Sequence, residues 1–186
     1  MKNVFFLLFS LIGFSIVAQT TVSGVPLPQK ENFRGETVVL NGAGVREKFW
    51  MDMYVGALYL DTASSDAQQI IAAEKPMAIK LHIVSGLITS KRMIDAVNEG
   101  FENSTNKNTS PISAEIDKFI SFFSDDISKN DVFDIVYLPD SGVIVYKNGT
   151  EKGVIKGMDF KKALFGIWLS NKPADKDLKE AMLGKS

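Results

Sequence analysis

The 186 residues carry 21 Lys and Arg against 22 Asp and Glu, so no net basic field points to nucleic acid or to a charged membrane surface. Cysteine is absent, which excludes disulfides, thiolate metal sites and cysteine nucleophiles; the single histidine, His82, excludes a multi-histidine metal centre. The length suits one domain, and 13 Phe, 4 Tyr and 2 Trp can build a core without covalent staples.

In chain order, residues 1–19 read as an export signal. Lys2 precedes an apolar run from Val4 to Val17, too short for a comfortable membrane span, and a polar segment follows. Cleavage is expected after Ala18 or Gln19, leaving an exported, periplasmic or secreted domain over 20–186 with no membrane span. Thr20 to Pro28 ends at prolines and reads as a first edge strand. Gly35–Phe49 and Trp50–Asp61 read as two further strands from their β-branched and aromatic content, with a tight connection near Glu47 and Lys48. Pro76–Ser85 alternates as a fourth. The period then changes. Thr89 or Ser90 can cap a helix on which Met93, Ala96, Val97, Gly100 and Phe101 recur at helical spacing. After a polar loop, Ile112, Ile116, Phe119, Ile120 and Phe123 form one apolar stripe of a second helix. Asp131–Gly157 divides into three short strands at the turns "PDSG" and "KNGT". Met158–Ser170 is a helix with Phe160, Ala163, Leu164, Ile167 and Trp168 on one side. Pro173–Gly184 is a short last helix with proline at its start and glycine at its end. Strands, two helices, strands, two helices predict an α+β fold: an antiparallel sheet with a layer of helices on one face.

Two stretches carry a family likeness. "GAGVREKFWMDMYVGALYL" (42–60) resembles the entry to the chalcone isomerase fold, where plant members have Gly-x-Gly-Val-Arg and a following strand ending in a small residue and Val-Tyr-Leu. "FKKALFGIWLSNKPADKDLKEAMLG" (160–184) resembles that superfamily's last two helices. The likeness runs from about Thr37 to Gly184 and implies an open-faced sandwich of antiparallel sheet and helices, nearest to the exported bacterial chalcone isomerase-like proteins.

What the resemblance implies for chemistry can be followed position by position. The arginine that helps hold the ligand's charged oxygen is kept as Arg46. The threonine that polarises the substrate ketone falls, counting three back from Ala57 and allowing a gap, on Tyr54. "TSKRMIDAVNEG" matches the enzymes' active-site helix at Thr89, Lys91, Val97 and Glu99, but the catalytic tyrosine becomes Met93, the lysine Ala96 and the asparagine Gly100. Preorganised donors at a developing enolate contribute about 3–4 kcal/mol each, and these three residues donate nothing. The resemblance therefore favours the superfamily's fatty-acid-binding members, in which an arginine and a tyrosine of the first two strands hold a carboxylate. On that reading Arg46 and Tyr54 take the headgroup, and Met93, Ala96 and Gly100 line a channel for an alkyl tail. No cofactor is implied; the partner is a small apolar carboxylate such as a fatty acid.

Each of these residues also has an ordinary structural role to set beside this one. Arg46 could pair with Asp52 or Glu47. Tyr54 could be a core aromatic, and Tyr59 is read as packing. Met93, Ala96 and Gly100 have the spacing of any buried helix face. His82 shares a strand face with Lys80 and is read as solvated. The triplets at Asn103, Asn108 and Asn148 are read as polar loops, and Asp125–Asp126 lacks the spacing of a calcium loop. Two other functions stay open: an isomerase acting on an enone, with Arg46 and Tyr54 as oxyanion donors, and an envelope interaction module presenting an exposed Phe165 or Trp168.

Overall fold

A computed structural model describes residues 20–185; the expected export signal lies outside the described residues. Its centre is one seven-stranded sheet in which each strand pairs antiparallel with the next in sequence: β3 (Lys30–Phe33), β4 (Glu36–Lys48), β5 (Met51–Leu60), β6 (Met77–Ile83), β7 (Val132–Leu138), β8 (Gly142–Lys147) and β9 (Thr150–Ile155). Helix α1 (Ala67–Ala72) bridges β5 and β6, α2 (Ser90–Ser104) and α3 (Ser113–Ser121) bridge β6 and β7, and α4 (Met158–Leu169) and α5 (Lys176–Met182) close the chain. The α+β fold expected from the sequence is the one observed.

Thr20–Pro28 is a hairpin rather than one strand. β1 (Thr20–Val22) and β2 (Val25–Leu27) pair across Ser23 and Gly24, both at positive φ, so the Ser-Gly pair is the turn signal inside the segment. This hairpin belongs to the face the helices leave open. Val25 and Leu27 join Val38, Val55, Ala57, Tyr59, Ala78, Val136 and Ile144 in a second, smaller core. Tyr59 packs there as expected and its hydroxyl donates to the Pro28 carbonyl at 3.1 Å. Burial pushes its phenol pKa upward, as do the nearby Glu31 and Asp134 carboxylates. Lys80, on the same face, bridges Asp134 at 2.6 Å and Glu31 at 3.0 Å. Burial works against its charge, but the two carboxylates outweigh burial and its pKa is raised. His82 is half-buried on this face rather than fully solvated.

The main core lies between the sheet and the helices. Strand alternation sends Tyr54, Leu58 and Leu60 of β5 and Ile79, Leu81 and Ile83 of β6 into it. From above come Met93, Val97 and Phe101 of α2, and an aromatic cluster joins Phe101, Phe119, Phe123, Phe133 and Phe160 with centroids 5.0–6.0 Å apart. Thr89 caps α2, accepting from the Arg92 amide at 3.3 Å.

Three local expectations are corrected. α4 is buried over most of its surface, with Lys161, Phe165, Gly166 and Leu169 enclosed as well as the predicted stripe and only Asp159 and Lys162 exposed, because α1, α2 and α5 pack around it. Phe165 and Trp168 are therefore core residues and cannot form the partner surface considered above. α5 starts after the cap Asp175, whose side chain accepts from the Leu178 amide at 2.9 Å; Pro173 lies ahead of it in the loop. At the other end Gly184 takes φ 67°, as a C-terminal glycine should.

Lys161 is a buried lysine inside that helix. Its Nζ donates to the carbonyls of Ile70, Ile71 and Ala73 at 3.2, 2.7 and 2.8 Å, closing the end of α1, and it lies 5.0 Å from the Tyr137 ring centroid. Burial lowers its pKa to about 8, so it remains an ammonium at neutral pH.

Candidate functional site

The two longest strands build the site. β4 and β5 run antiparallel with Arg46 directly opposite Tyr54. Two β-bulges break this ladder. At one, Asn41 has no partner. Its amide nitrogen donates to the carbonyls of Ser64 and Met182 at 3.0 and 2.8 Å, and its oxygen accepts from the Ser64 amide at 2.9 Å. At the other, the extra residue is Met53, immediately before Tyr54, and its carbonyl accepts from the amides of Val84 and Ser85.

The glycines of the motif seat α5. A β-carbon on Gly42 would stand 2.1 Å from the Ala181 carbonyl oxygen, one on Gly44 2.7 Å from the Ala181 Cβ, and one on Gly56 2.7 Å from the Met182 side chain. Their absence of side chains lets the last helix lie directly on β4 and β5.

Beyond that helix the sheet is open, and between the ends of β4 and β5 and the first turns of α2 lies a cleft of about 410 Å3. Its size falls within the range of about 300–1,000 Å3 usual for small-molecule sites. Arg46, Lys48, Met51, Met53 and Tyr54 wall it from the strands, Leu87 and Ile88 from the loop, and Arg92, Met93, Asp95, Ala96 and Glu99 from α2. The walls are mainly apolar, with cations contributed by both β4 and α2. Asp95 is paired with Lys91 at 2.7 Å, whereas Arg46, Lys48 and Arg92 form no ion pair among the described residues.

Arg46 therefore does not take the structural pairing with Asp52 or Glu47. Those two are cross-strand neighbours of each other, and Asp52 accepts from the Ser23 hydroxyl at 2.6 Å. The guanidinium carbon instead lies 5.7 Å from the Tyr54 ring centroid. Tyr54 is 3% exposed, and its hydroxyl oxygen accepts from the Trp168 indole N–H at 2.9 Å. The indole can only donate, so this bond leaves the phenol's own proton free, and it has no acceptor among the described residues.

Of the five residues singled out in the sequence, four share this cleft: Arg46, Tyr54, Met93 and Ala96. Gly100 does not reach it. It sits one turn further along α2 against α4, where a β-carbon would lie 2.7 Å from Ile167 Cγ2, and Gly166 meets Ser104 in the same way. This glycine serves close helix packing. The reading of the sequence missed Trp168 as the partner of Tyr54, and Arg92, Met51, Met53 and Leu87 as lining. The odd spacing in "MDMY" was the one available signal, because a bulge brings both Met53 and Tyr54 to the cleft.

Among the described residues no cluster of His, Asp or Glu could hold a metal ion, and no helix is long and apolar enough to cross a membrane.

Comparison with known proteins agrees with this architecture. The pattern defining the chalcone isomerase-like family matches residues 19–184, and the chain belongs to that family. Among solved structures it is similar to a fatty-acid binding protein from Arabidopsis thaliana, with a TM-score of 0.71 and 21% sequence identity over 86% of this chain and 92% of that one. At that identity the likeness concerns the fold. A search of curated proteins found no match.

Proposed function

We propose that this protein is a non-catalytic binder of fatty acids or similar apolar carboxylates, with the headgroup on Arg46 and Tyr54 and the tail along Met53, Ile88, Met93 and Ala96. The observation that carries the reading is the Tyr54 hydroxyl. It is buried, it is oriented by Trp168, and its proton has no acceptor among the described residues, while Arg46, whose guanidinium lies 5.7 Å from the Tyr54 ring centroid, forms no ion pair among them. A carboxylate satisfies both donors at once, and arginine offers it a planar, two-pronged contact. The positions where the enzymes carry donors are apolar or turned away: Met93 and Ala96 line the cleft, and Gly100 packs on Ile167. The fold likeness to a fatty-acid binding protein supports the same reading.

The test compares a fatty acid with the alcohol of equal chain length. Charge-assisted hydrogen bonds contribute about 1.5–3 kcal/mol, whereas each buried methylene adds about 0.8 kcal/mol, so the tail supplies most of the affinity. Arg46→Ala is expected to weaken acid binding by about 10- to 100-fold and to leave alcohol binding almost unchanged. Equal affinity of wild type and variant for the acid would overturn the assignment.

The protein is further proposed to be exported, on the strength of Lys2 and the apolar run from Val4 to Val17. N-terminal sequencing of the chain recovered from its native cells should begin at Gln19 or Thr20. A chain retaining Met1 would refute it.

A further inference from the structure

The tip of the β4–β5 hairpin is built unlike three other two-residue turns of the fold. Three hairpins turn on a pair of residues with positive φ, and in each the second is glycine: Ser23-Gly24, Arg34-Gly35 and Asn148-Gly149. Glycine takes that backbone conformation without steric cost. At the β4–β5 tip the same two positions hold Phe49 (φ 53°) and Trp50 (φ 60°), the residue types least suited to it. Their side chains gain nothing from the protein in return, because Trp50 is 95% exposed and Phe49 73% exposed. Met51 and Leu87, the other exposed large apolar side chains among the described residues, stand on the same rim, since Phe49, Met51 and Leu87 all border the cleft.

The cations of this rim are unpaired among the described residues, while of the two carboxylates in the cleft lining Asp95 is held by Lys91 and Glu99 lies a turn further along α2. Lys48 lies opposite Met51 and 5.8 Å from the Phe49 ring, and Arg92 is anchored beside it through the Leu87 carbonyl at 2.8 Å. Neither forms an ion pair among the described residues. The neighbouring acids Glu47 and Asp52 pair with each other's strand positions off the cleft lining. A balanced total charge thus conceals a local patch of two aromatics, two aliphatics and two cations.

We propose that this tip docks on an anionic lipid bilayer, with Trp50 and Phe49 entering the headgroup layer and Lys48 and Arg92 on lipid phosphates. Tryptophan beside lysine and arginine is the composition that settles at a bilayer interface. A projecting hairpin tip with three exposed apolar side chains, and Leu87 beside it, is far smaller than the roughly 20–30 residues a side of a stable protein interface, which argues against a second copy as the occupant. Docked in this way, the cleft mouth opens towards the lipid. The inference stands on this rim and does not depend on the ligand assigned to the cleft.

Tryptophan fluorescence tests it, because the chain has only Trp50 and the buried Trp168, and residues 1–19 contain none. Vesicles of phosphatidylglycerol, free of fatty acid, should shift the emission of the purified protein to the blue. Brominated phosphatidylglycerol should quench it, and phosphatidylcholine should do neither to a comparable degree. Phe49→Ser, which keeps the reporter, should weaken partitioning by about tenfold or more, and Trp50→Ser should reduce co-sedimentation with vesicles similarly while circular dichroism remains native. Emission unmoved by lipid would overturn the proposal, even if the chain co-sediments, since another segment would then make the contact. A dimer in lipid-free buffer that dissociates in Trp50→Ser would also overturn it, in favour of a second copy on the tip.

Discussion

Replacing Lys161 with alanine is expected to lower the free energy of unfolding by about 3–5 kcal/mol, from backbone carbonyls left without a donor together with a lost buried side-chain stem. The reason lies in α1. This helix has only six residues, too few to hold together alone, and its last carbonyls have no helical partner. Lys161 supplies one from another helix, donating to Ile70, Ile71 and Ala73. The Ile70 carbonyl keeps a weak bond from the Ala73 amide at 3.4 Å, but Ile71 and Ala73 lose the donor they have. Each orphaned carbonyl costs about 1–3 kcal/mol, and the lost stem adds a cavity beside Tyr137 and Phe165. Thermal unfolding should show a midpoint about 6–20 °C lower. Lys161→Met keeps the stem's apolar contacts and isolates the loss of the ammonium, so it should fall between wild type and alanine. If methionine matches wild type, the ammonium contributes nothing to closing α1.

Gly42→Ala is expected to destabilise the protein by about 2–3 kcal/mol, although it adds a single methyl group. The new carbon would meet the carbonyl oxygens of Ala181 and Met182 at 2.1 and 2.8 Å. Both belong to backbone, so no rotamer change relieves the clash, and α5 must lift from β4. The neighbouring Asn41 would then lose its bond to the Met182 carbonyl at 2.8 Å. Gly86→Ala is the matched control: nothing lies within 4 Å of its added carbon and its φ is not positive. That substitution should be neutral or stabilise by up to about 1 kcal/mol. Urea denaturation midpoints compare the two, and equal midpoints would mean that α5 does not depend on the glycine seat. Hydrogen exchange should locate the damage of Gly42→Ala in α5 and in β4 beneath it.

Strand alternation and the helical stripes of 89–104 and 112–123 were legible because each reports one buried face, and a face is a local property of the chain. The hairpin at Asn148-Gly149 was legible because its chemistry is confined to two residues. By contrast, α1 and β3 were not read, being six and four residues long, too short to display a period. The stripe of α4 was legible, yet its enclosure on the other sides was not. A stripe shows that something covers a helix without showing how many elements do.

The candidate site divides in the same way. From the sequence, two adjacent strands carrying Arg46 and Tyr54 were legible, and the family resemblance paired those two residues and marked Met93 and Ala96 on the helix at 89–104 as standing in place of hydrogen-bonding groups. Only the tertiary structure decided that Met93 and Ala96 face those strands while Gly100, one turn on, faces α4. Only it decided that Trp168, 114 residues from Tyr54, orients the phenol. The physical reason is that a residue's face follows from its own backbone, whereas its partner is set by which distant element fills the space above it. For Tyr54 that element is a helix near the end of the chain, held down by α5 on a seat of glycines.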